Sequence, residues 1–219
     1  MTKSAEVHRI LARYLVEVVE RHELCPWARG ARERGELAIG IVWGTPGVPG
    51  GSDPLDAWLV EAERTLAMPS VAVAMVVAPE LAISRTELGA LRDRLAARLP
   101  AAGIAEFHPE AALDLATPAR LVPFLRRSPD PMLQLVPLAL LDAVRAAPPT
   151  AVRAHQAAML GGHAAPPRPA PSARIAGANH ATAAHAHAEI AATLDAIAAD
   201  RRAGYARAGI AAPGISGSR

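Results

Sequence analysis

The chain has 219 residues, of which 51% are apolar, 20% charged and 3% aromatic. This apolar content excludes a wholly disordered chain, and no apolar run reaches the roughly 20 residues that a membrane-spanning helix needs. The formal net charge of +2 is too small, and the basic C-terminal part too poor in aromatic residues, to indicate nucleic-acid binding. Because the N-terminus also shows no signal-peptide pattern, we expect a cytoplasmic protein that binds neither membranes nor nucleic acid.

The first half of the chain predicts two strands and three helices. An amphipathic helix ending near His22 follows from apolar residues spaced three and four positions apart: Val7, Ile10, Leu11, Tyr14, Leu15, Val18 and Val19. Residues 37–43 alternate as a strand does, and residues 71–77 are apolar on both faces, as in a central strand. Asp53 and Ser84 each read as the N-cap of a helix, the second with Glu87 as a capping box.

The chain from residue 104 to residue 145 continues the alternation of strands and helices. Strands are predicted at residues 104–108 and 132–136, a short helix begins at Thr117-Pro118, and a further helix spans residues 138–145. Helices that alternate with strands predict the α/β class, with a four-stranded mixed sheet flanked by helices. We therefore assign residues 1–147 to a single α/β core domain.

Residues 148–219 differ in composition, being rich in Ala, Pro and His. This extension predicts a helix over residues 150–160, a proline-rich linker over residues 163–175 and a terminal helix over residues 182–207. The terminal helix has one narrow apolar stripe, formed by Ile190, Leu194 and Ile197. Such a stripe buries little surface alone, so we expect it to dock on the core or to form a homo-oligomer with a second copy.

The only cysteine, Cys25, cannot form an internal disulfide or a multi-cysteine metal site. It directly precedes Pro26, where a short helix can begin. Helix N–H groups, helped by Arg29 and Arg32, would lower the pKa of the thiol towards the reactive thiolate. The alternative is that Cys25 packs as a small apolar residue.

His108 and the segment of residues 126–131 carry the other candidate groups. His108 lies at the carboxyl end of a predicted strand, where ligands collect in open α/β sheets, and it can serve as a base, a metal ligand or a backbone-bonded structural residue. Arg126 and Arg127 precede Ser128 in a proline-stiffened turn, and their guanidinium groups can bind a carboxylate or phosphate. A simple turn with solvated arginines is the other interpretation.

Three short motifs together resemble those of a bacterial family, the uncharacterised DUF-fourteen-fifteen family. They are Leu-Cys-Pro-Trp-Ala at residues 24–28, Phe-His-Pro at residues 107–109 and Arg-Ser-Pro-Asp-Pro at residues 127–131. The resemblance covers roughly residues 7–147 and implies a shared site that includes Cys25, His108 and Arg127. It implies no reaction. This chain is divergent, with Gln134 where members tend to carry a histidine.

Three hypotheses follow. The first is a small-molecule enzyme of unassigned reaction, with a Cys25 thiolate, His108 as its base or partner, and Arg127 as clamp for an anionic substrate; Arg126, Ser128 and Trp27 complete the substrate-binding set. The second is a haem or metal protein with Cys25 or His108 as ligand. The third is a non-enzymatic interaction module that uses the terminal helix.

Overall fold

The structure, a computed structural model, describes residues 2–25, 27–44, 53–146 and 171–211. Its first helix, α1 (Lys3–Tyr14), begins at Thr2, whose side chain accepts a hydrogen bond from the Ala5 N–H. From Leu15–Glu20 the same helix continues as π-helical turns. The predicted apolar stripe is buried along both parts.

The four strands form one mixed sheet, which confirms the predicted fold class. They are β1 (Leu37–Ile41), β2 (Val73–Val77), β3 (Ala102–Phe107) and β4 (Met132–Pro137), in the spatial order β1-β2-β4-β3. β1 runs parallel to β2, whereas β4 is antiparallel to both of its neighbours. The strand that is apolar on both faces, β2, lies in the interior of the sheet as predicted.

Helices cover the two faces of the sheet and divide the core into two apolar clusters. α3 (Pro54–Leu66) and α4 (Arg85–Arg98) pack with Ala74 and Val76 of β2. α1 and α5 (Pro118–Leu125) pack on the opposite face with Met75 and Val77. Two further short helices are α2 (Ala28–Glu33) and α6 (Leu138–Ala146). The predicted caps are present, including the reciprocal hydrogen bonds of Ser84 and Glu87.

The last helix, α7 (Pro171–Ala208), is longer than predicted. Residues 171–175, assigned to the linker, are helical, because proline is accepted in a first helical turn and alanine favours the turns that follow. The rest of that linker and the helix predicted over residues 150–160 lie outside the described residues. The predicted stripe is buried in the same apolar cluster as α1, so it docks within its own chain. In the described part of the chain, no helix is both long and apolar enough to cross a membrane.

Ion pairs join α7 to α1. The Asp200 carboxylate accepts hydrogen bonds from Arg9 at 2.7 Å and from Arg13 at 2.6 Å. Arg9 also binds the buried carboxylate of Glu6 at 2.7 Å. Gly204 of α7 lies directly against Glu6, where a Cβ atom would come within 1.7 Å of the carboxylate oxygen. The close approach of the two helices therefore depends on the absence of a side chain at Gly204.

We expect Gly204→Ala to lower the free energy of unfolding by about 1–3 kcal/mol, because the added methyl group displaces a carboxylate that Arg9 holds in place. The matched control is Gly177→Ala in the same helix, where a Cβ meets nothing within 4 Å. That change should stabilise the protein by about 0.5–1 kcal/mol. Urea unfolding measures both, and equal effects of the two variants would contradict this account of the helix contact.

Asp200 gives the α1–α7 contact a pH dependence. Hydrogen bonds from Arg9 and Arg13 hold the pKa of Asp200 well below its usual 3.8. A carboxyl whose pKa is lower in the folded state stabilises it fully above the unfolded pKa and loses that contribution as pH falls. We expect Asp200→Asn to cost about 1–2 kcal/mol at neutral pH. The difference from the parent should shrink below about pH 4, and a constant difference in urea unfolding at pH 7 and pH 3 would contradict it.

Candidate active site

Cys25 lies in the turn between the π-helical segment and α2. The chain turns at Glu23, which adopts a left-handed conformation (φ 52°), and Leu24 is buried beside it. The Ala28 N–H donates to the Cys25 carbonyl at 3.2 Å as α2 begins. The cysteine therefore stands just ahead of a short helix, as predicted, with its side chain partly buried.

Burial raises the pKa of the Cys25 thiol and outweighs the N–H groups of Trp27 and Ala28, which lower it. The expectation of a lowered pKa is therefore wrong. Arg32 does not act on the thiol as expected, because it binds the buried Glu20 carboxylate at 2.6 Å, and Arg29 lies 3.7 Å from the same group. In this arrangement Cys25 is a protonated thiol at neutral pH.

His108 is buried, and both of its ring nitrogens are hydrogen-bonded to backbone. Nε2 lies 2.7 Å from the carbonyl oxygen of Ile83, and Nδ1 accepts from the Glu110 N–H at 3.1 Å. These bonds assign the neutral ring with its proton on Nε2. The arrangement matches the structural interpretation of His108, because no lone pair of the ring is left for a substrate proton or a metal ion.

Arg127 and Ser128 bind protein groups around α7. Arg127 donates to the Pro109 carbonyl at 3.1 Å and to Asp195 of α7 at 3.2 Å. The Ser128 hydroxyl donates to the Asp130 carbonyl at 2.5 Å. The Asp130 carboxylate is itself buried and accepts from two α7 side chains, Arg201 at 2.7 Å and Tyr205 at 2.6 Å. Residues 127–131 therefore bind α7 through the side chains of Arg127 and Asp130.

Arg126 is bound far less completely than its neighbour. Its guanidinium lies over the Phe107 ring, 5.8 Å from the ring centre, and 3.8 Å from the Glu106 carboxylate. Burial lowers the pKa of Arg126, with the charge of Arg92 acting in the same direction and those of Glu106 and Tyr14 opposing it. Its side chain donates no hydrogen bond to any group among the described residues. A partly buried guanidinium without acceptors is suited to binding an anion.

Tyr14 is near enough to both Arg126 and Cys25 for each to affect the pKa of its hydroxyl. Its side chain is 1% exposed, and its hydroxyl has no hydrogen-bond partner among the residues that the structure covers. Burial raises the pKa of Tyr14, and the charges of both Arg126 and Cys25 act on it, the first lowering and the second raising it. Tyr14 is also the residue at which the π-helical turns begin, a feature frequent at functional sites.

The structure does not bring all the predicted residues together. Cys25 and Arg126 are both near enough to Tyr14 for their charges to affect its pKa, and the sequence showed Tyr14 only as one member of an apolar stripe. His108 shares a small cavity with Arg126. Arg127 binds Asp195 of α7, Ser128 binds the Asp130 carbonyl, and Trp27 is 44% exposed. Across residues 2–25, 27–44, 53–146 and 171–211, no three His, Cys, Asp or Glu side chains lie close enough to hold a metal ion.

We expect Tyr14→Phe to raise the free energy of unfolding by about 1 kcal/mol, because it removes a buried hydroxyl that has no partner. A tyrosine retained only for packing would give no other change. If the hydroxyl serves the site, alkylation of Cys25 by iodoacetate should slow in the same variant. Thermal unfolding and mass spectrometry measure the two effects, and a destabilised Tyr14→Phe protein would show that the hydroxyl has a structural partner.

Comparisons with known proteins give no match. No family model, no curated protein and no solved structure matches the chain. Membership of the DUF-fourteen-fifteen family therefore stays a prediction that rests on three short motifs. The function of the site has to be inferred from its own geometry.

Proposed function

We propose that the protein is a small-molecule enzyme that acts on an anionic substrate, with Arg126 as the anion clamp and Cys25 as the reactive thiol. The observation that carries this proposal is the Tyr14 hydroxyl, which is buried, has no hydrogen-bond partner among the described residues and is near enough to Cys25 and Arg126 for both to affect its pKa. The proposal keeps the predicted chemistry of Cys25 and moves the clamp from Arg127 to its neighbour, since Arg127 already binds Pro109 and Asp195. We expect the enzyme to act in the cytoplasm.

The unsatisfied groups favour a ligand. A buried hydroxyl without a partner costs about 1–3 kcal/mol, and native proteins retain few such groups without a reason. The guanidinium of Arg126 has one long ion pair, with Glu106 at 3.8 Å, and no hydrogen bond within the described residues, although burial makes its desolvation costly. An anion bound at Arg126 would supply the hydrogen-bond acceptors that this guanidinium lacks there.

The remaining groups have supporting roles. Cys25 acts as the nucleophile after its thiol proton passes to water, and the N–H groups of Trp27 and Ala28 stabilise the resulting thiolate. His108 keeps its place in the site as a positioning residue, because its ring joins the loop after β3 to Ile83 ahead of α4. Arg127 positions Pro109 in the same loop.

The other hypotheses have less support. The lone pair that His108 would offer to haem or a metal is taken by the Glu110 N–H, so Cys25 is the better ligand of the two predicted. The α7 stripe proposed for a second copy is occupied by α1 of the same chain. A cofactor and a homo-oligomer remain predictions without a structural feature that favours them.

Two alkylating reagents of nearly equal size test the proposal. Iodoacetate is an anion and iodoacetamide is neutral, and both alkylate thiolates. Relative to a free cysteine peptide, Cys25 should favour iodoacetate by about threefold or more, because Arg126 attracts the carboxylate into the site. Arg126→Gln should abolish this preference. Mass spectrometry of the Cys25 peptide at several times gives both rates.

The control is Arg98→Gln, which removes an exposed arginine at the far end of α4. It changes the net charge by the same amount as Arg126→Gln and should leave the preference intact. A rate ratio equal to that of the peptide, or an equal loss in both variants, would overturn the proposal.

A further inference from the structure

A small cavity opens beside Arg126 at the exposed edge of β3. Its volume is about 50 Å³, and its polar lining consists of Arg85, Glu106, His108 and Arg126. The remaining wall is apolar and is formed by Ala111, Val122 and Pro123. The cavity lies where β3 ends and α4 begins, so residues from both elements reach it.

The charges around the cavity are predominantly positive. Arg85 and Arg126 line it directly, and Arg92 stands behind Glu106, whose carboxylate it binds at 2.7 Å. Arg92 shares its charge between Glu106 and Asp93, which it also binds at 2.7 Å, and Arg126 lies 3.8 Å from the Glu106 carboxylate. His108 adds no charge, because its backbone hydrogen bonds assign the neutral ring. The three guanidinium groups therefore face two carboxylates and leave an excess of one positive charge, which suits an anion.

The lining also offers donors without acceptors. Neither Arg85 nor Arg126 donates a side-chain hydrogen bond to any group in the described part of the chain, whereas Arg92 and Arg127 are both bonded. The carboxylate of the lining, Glu106, accepts a hydrogen bond from Arg92 and lies 3.8 Å from Arg126. A ligand in this cavity would thus meet hydrogen-bond donors on one side and apolar carbon on the other.

The size of the cavity limits the ligand. One water needs roughly 10–15 Å³ of such volume, so 50 Å³ holds about three to five non-hydrogen atoms. A tetrahedral oxyanion has five non-hydrogen atoms, and a carboxylate group has three. The volume admits either group, and the tetrahedral one is favoured because its oxygens point in several directions and can accept from both arginines at once.

We propose that this cavity binds a phosphate group, either free phosphate or the head group of a small phosphorylated substrate, through Arg126 and Arg85. The inference rests on the proposed function, because Arg126 belongs to both, and it gives the anionic substrate a chemical class.

Isothermal titration of the full chain with inorganic phosphate, in a buffer without other oxyanions, tests the inference. Arg126→Gln should weaken binding by about tenfold or more, since it removes hydrogen bonds between charged groups. Arg85→Gln should weaken it less, because that side chain is exposed. Arg98→Gln, on the same helix as Arg85, should bind as the parent does. Should Arg126→Gln fail to fold, Arg85→Gln and the charge-preserving Arg126→Lys still test the site.

Methyl phosphate and acetate distinguish the ligand classes. Methyl phosphate that binds at least as well as phosphate identifies the head group of a substrate, and phosphate that binds while the ester does not identifies free phosphate. Acetate that binds more tightly than phosphate would overturn the inference, as would undetectable phosphate binding or equal weakening by Arg98→Gln and Arg126→Gln.

Cys25→Ala separates this inference from the proposed function. The variant should bind phosphate normally, because the thiol does not line the cavity. If the parent protein binds phosphate but Cys25 shows no preference for iodoacetate, the phosphate site is supported and the proposed thiol enzyme is overturned. If the preference is present and phosphate does not bind, the thiol enzyme stands and its substrate is an anion of another class.

Discussion

The contact between the first and last helices is the constraint on which the rest of the structure depends. Asp200 is held by Arg9 and Arg13, and this places α7 across the face of the sheet that α1 occupies. From that position α7 reaches the loops of the site. Asn179 donates to the Leu24 carbonyl at 3.0 Å, next to Cys25, and Asp130 is clamped by Arg201 and Tyr205. The extension assigned to residues 148–219 thus supplies part of the core.

Hydrogen-bond satisfaction separates the structural candidates from the functional ones. His108, Arg127 and Ser128 have their polar atoms occupied by protein groups, which is how buried polar residues stabilise a fold. The Tyr14 hydroxyl and the Arg126 guanidinium make no hydrogen bond within the described residues, although Tyr14 is buried and Arg126 is partly buried. Two adjacent arginines with the same charge consequently differ in role, since one holds a helix and the other faces a cavity.

Local sequence patterns were sufficient to predict the helices and strands. They could not predict which residues distant in the sequence bind each other. Periodicity and caps predicted the four strands and the helix starts at Asp53, Ser84 and Thr117, because these signals lie within a few residues of each other. The partner of Arg127 lies 68 positions away and the acceptor for His108 lies 25 positions away. The Tyr14 hydroxyl and the Arg126 guanidinium stand out because no such hydrogen-bond partner lies within the described residues. The hydrogen-bond partners of Arg127 and His108 could not be inferred before the topology was known. The same holds for the burial that raises the pKa of Cys25.

The ion pairs that join α1 to α7 also have a consequence for biosynthesis. Arg9 and Asp200 are 191 positions apart, so at about 5–20 residues per second a ribosome needs roughly 10–40 seconds to complete the pair. During that interval Val7, Ile10 and Leu11 have no α7 to cover them, although in the finished protein they are among the most deeply buried residues. The nascent chain therefore presents the apolar face of its first helix to the cell throughout that interval, which makes this helix the natural binding site for a chaperone.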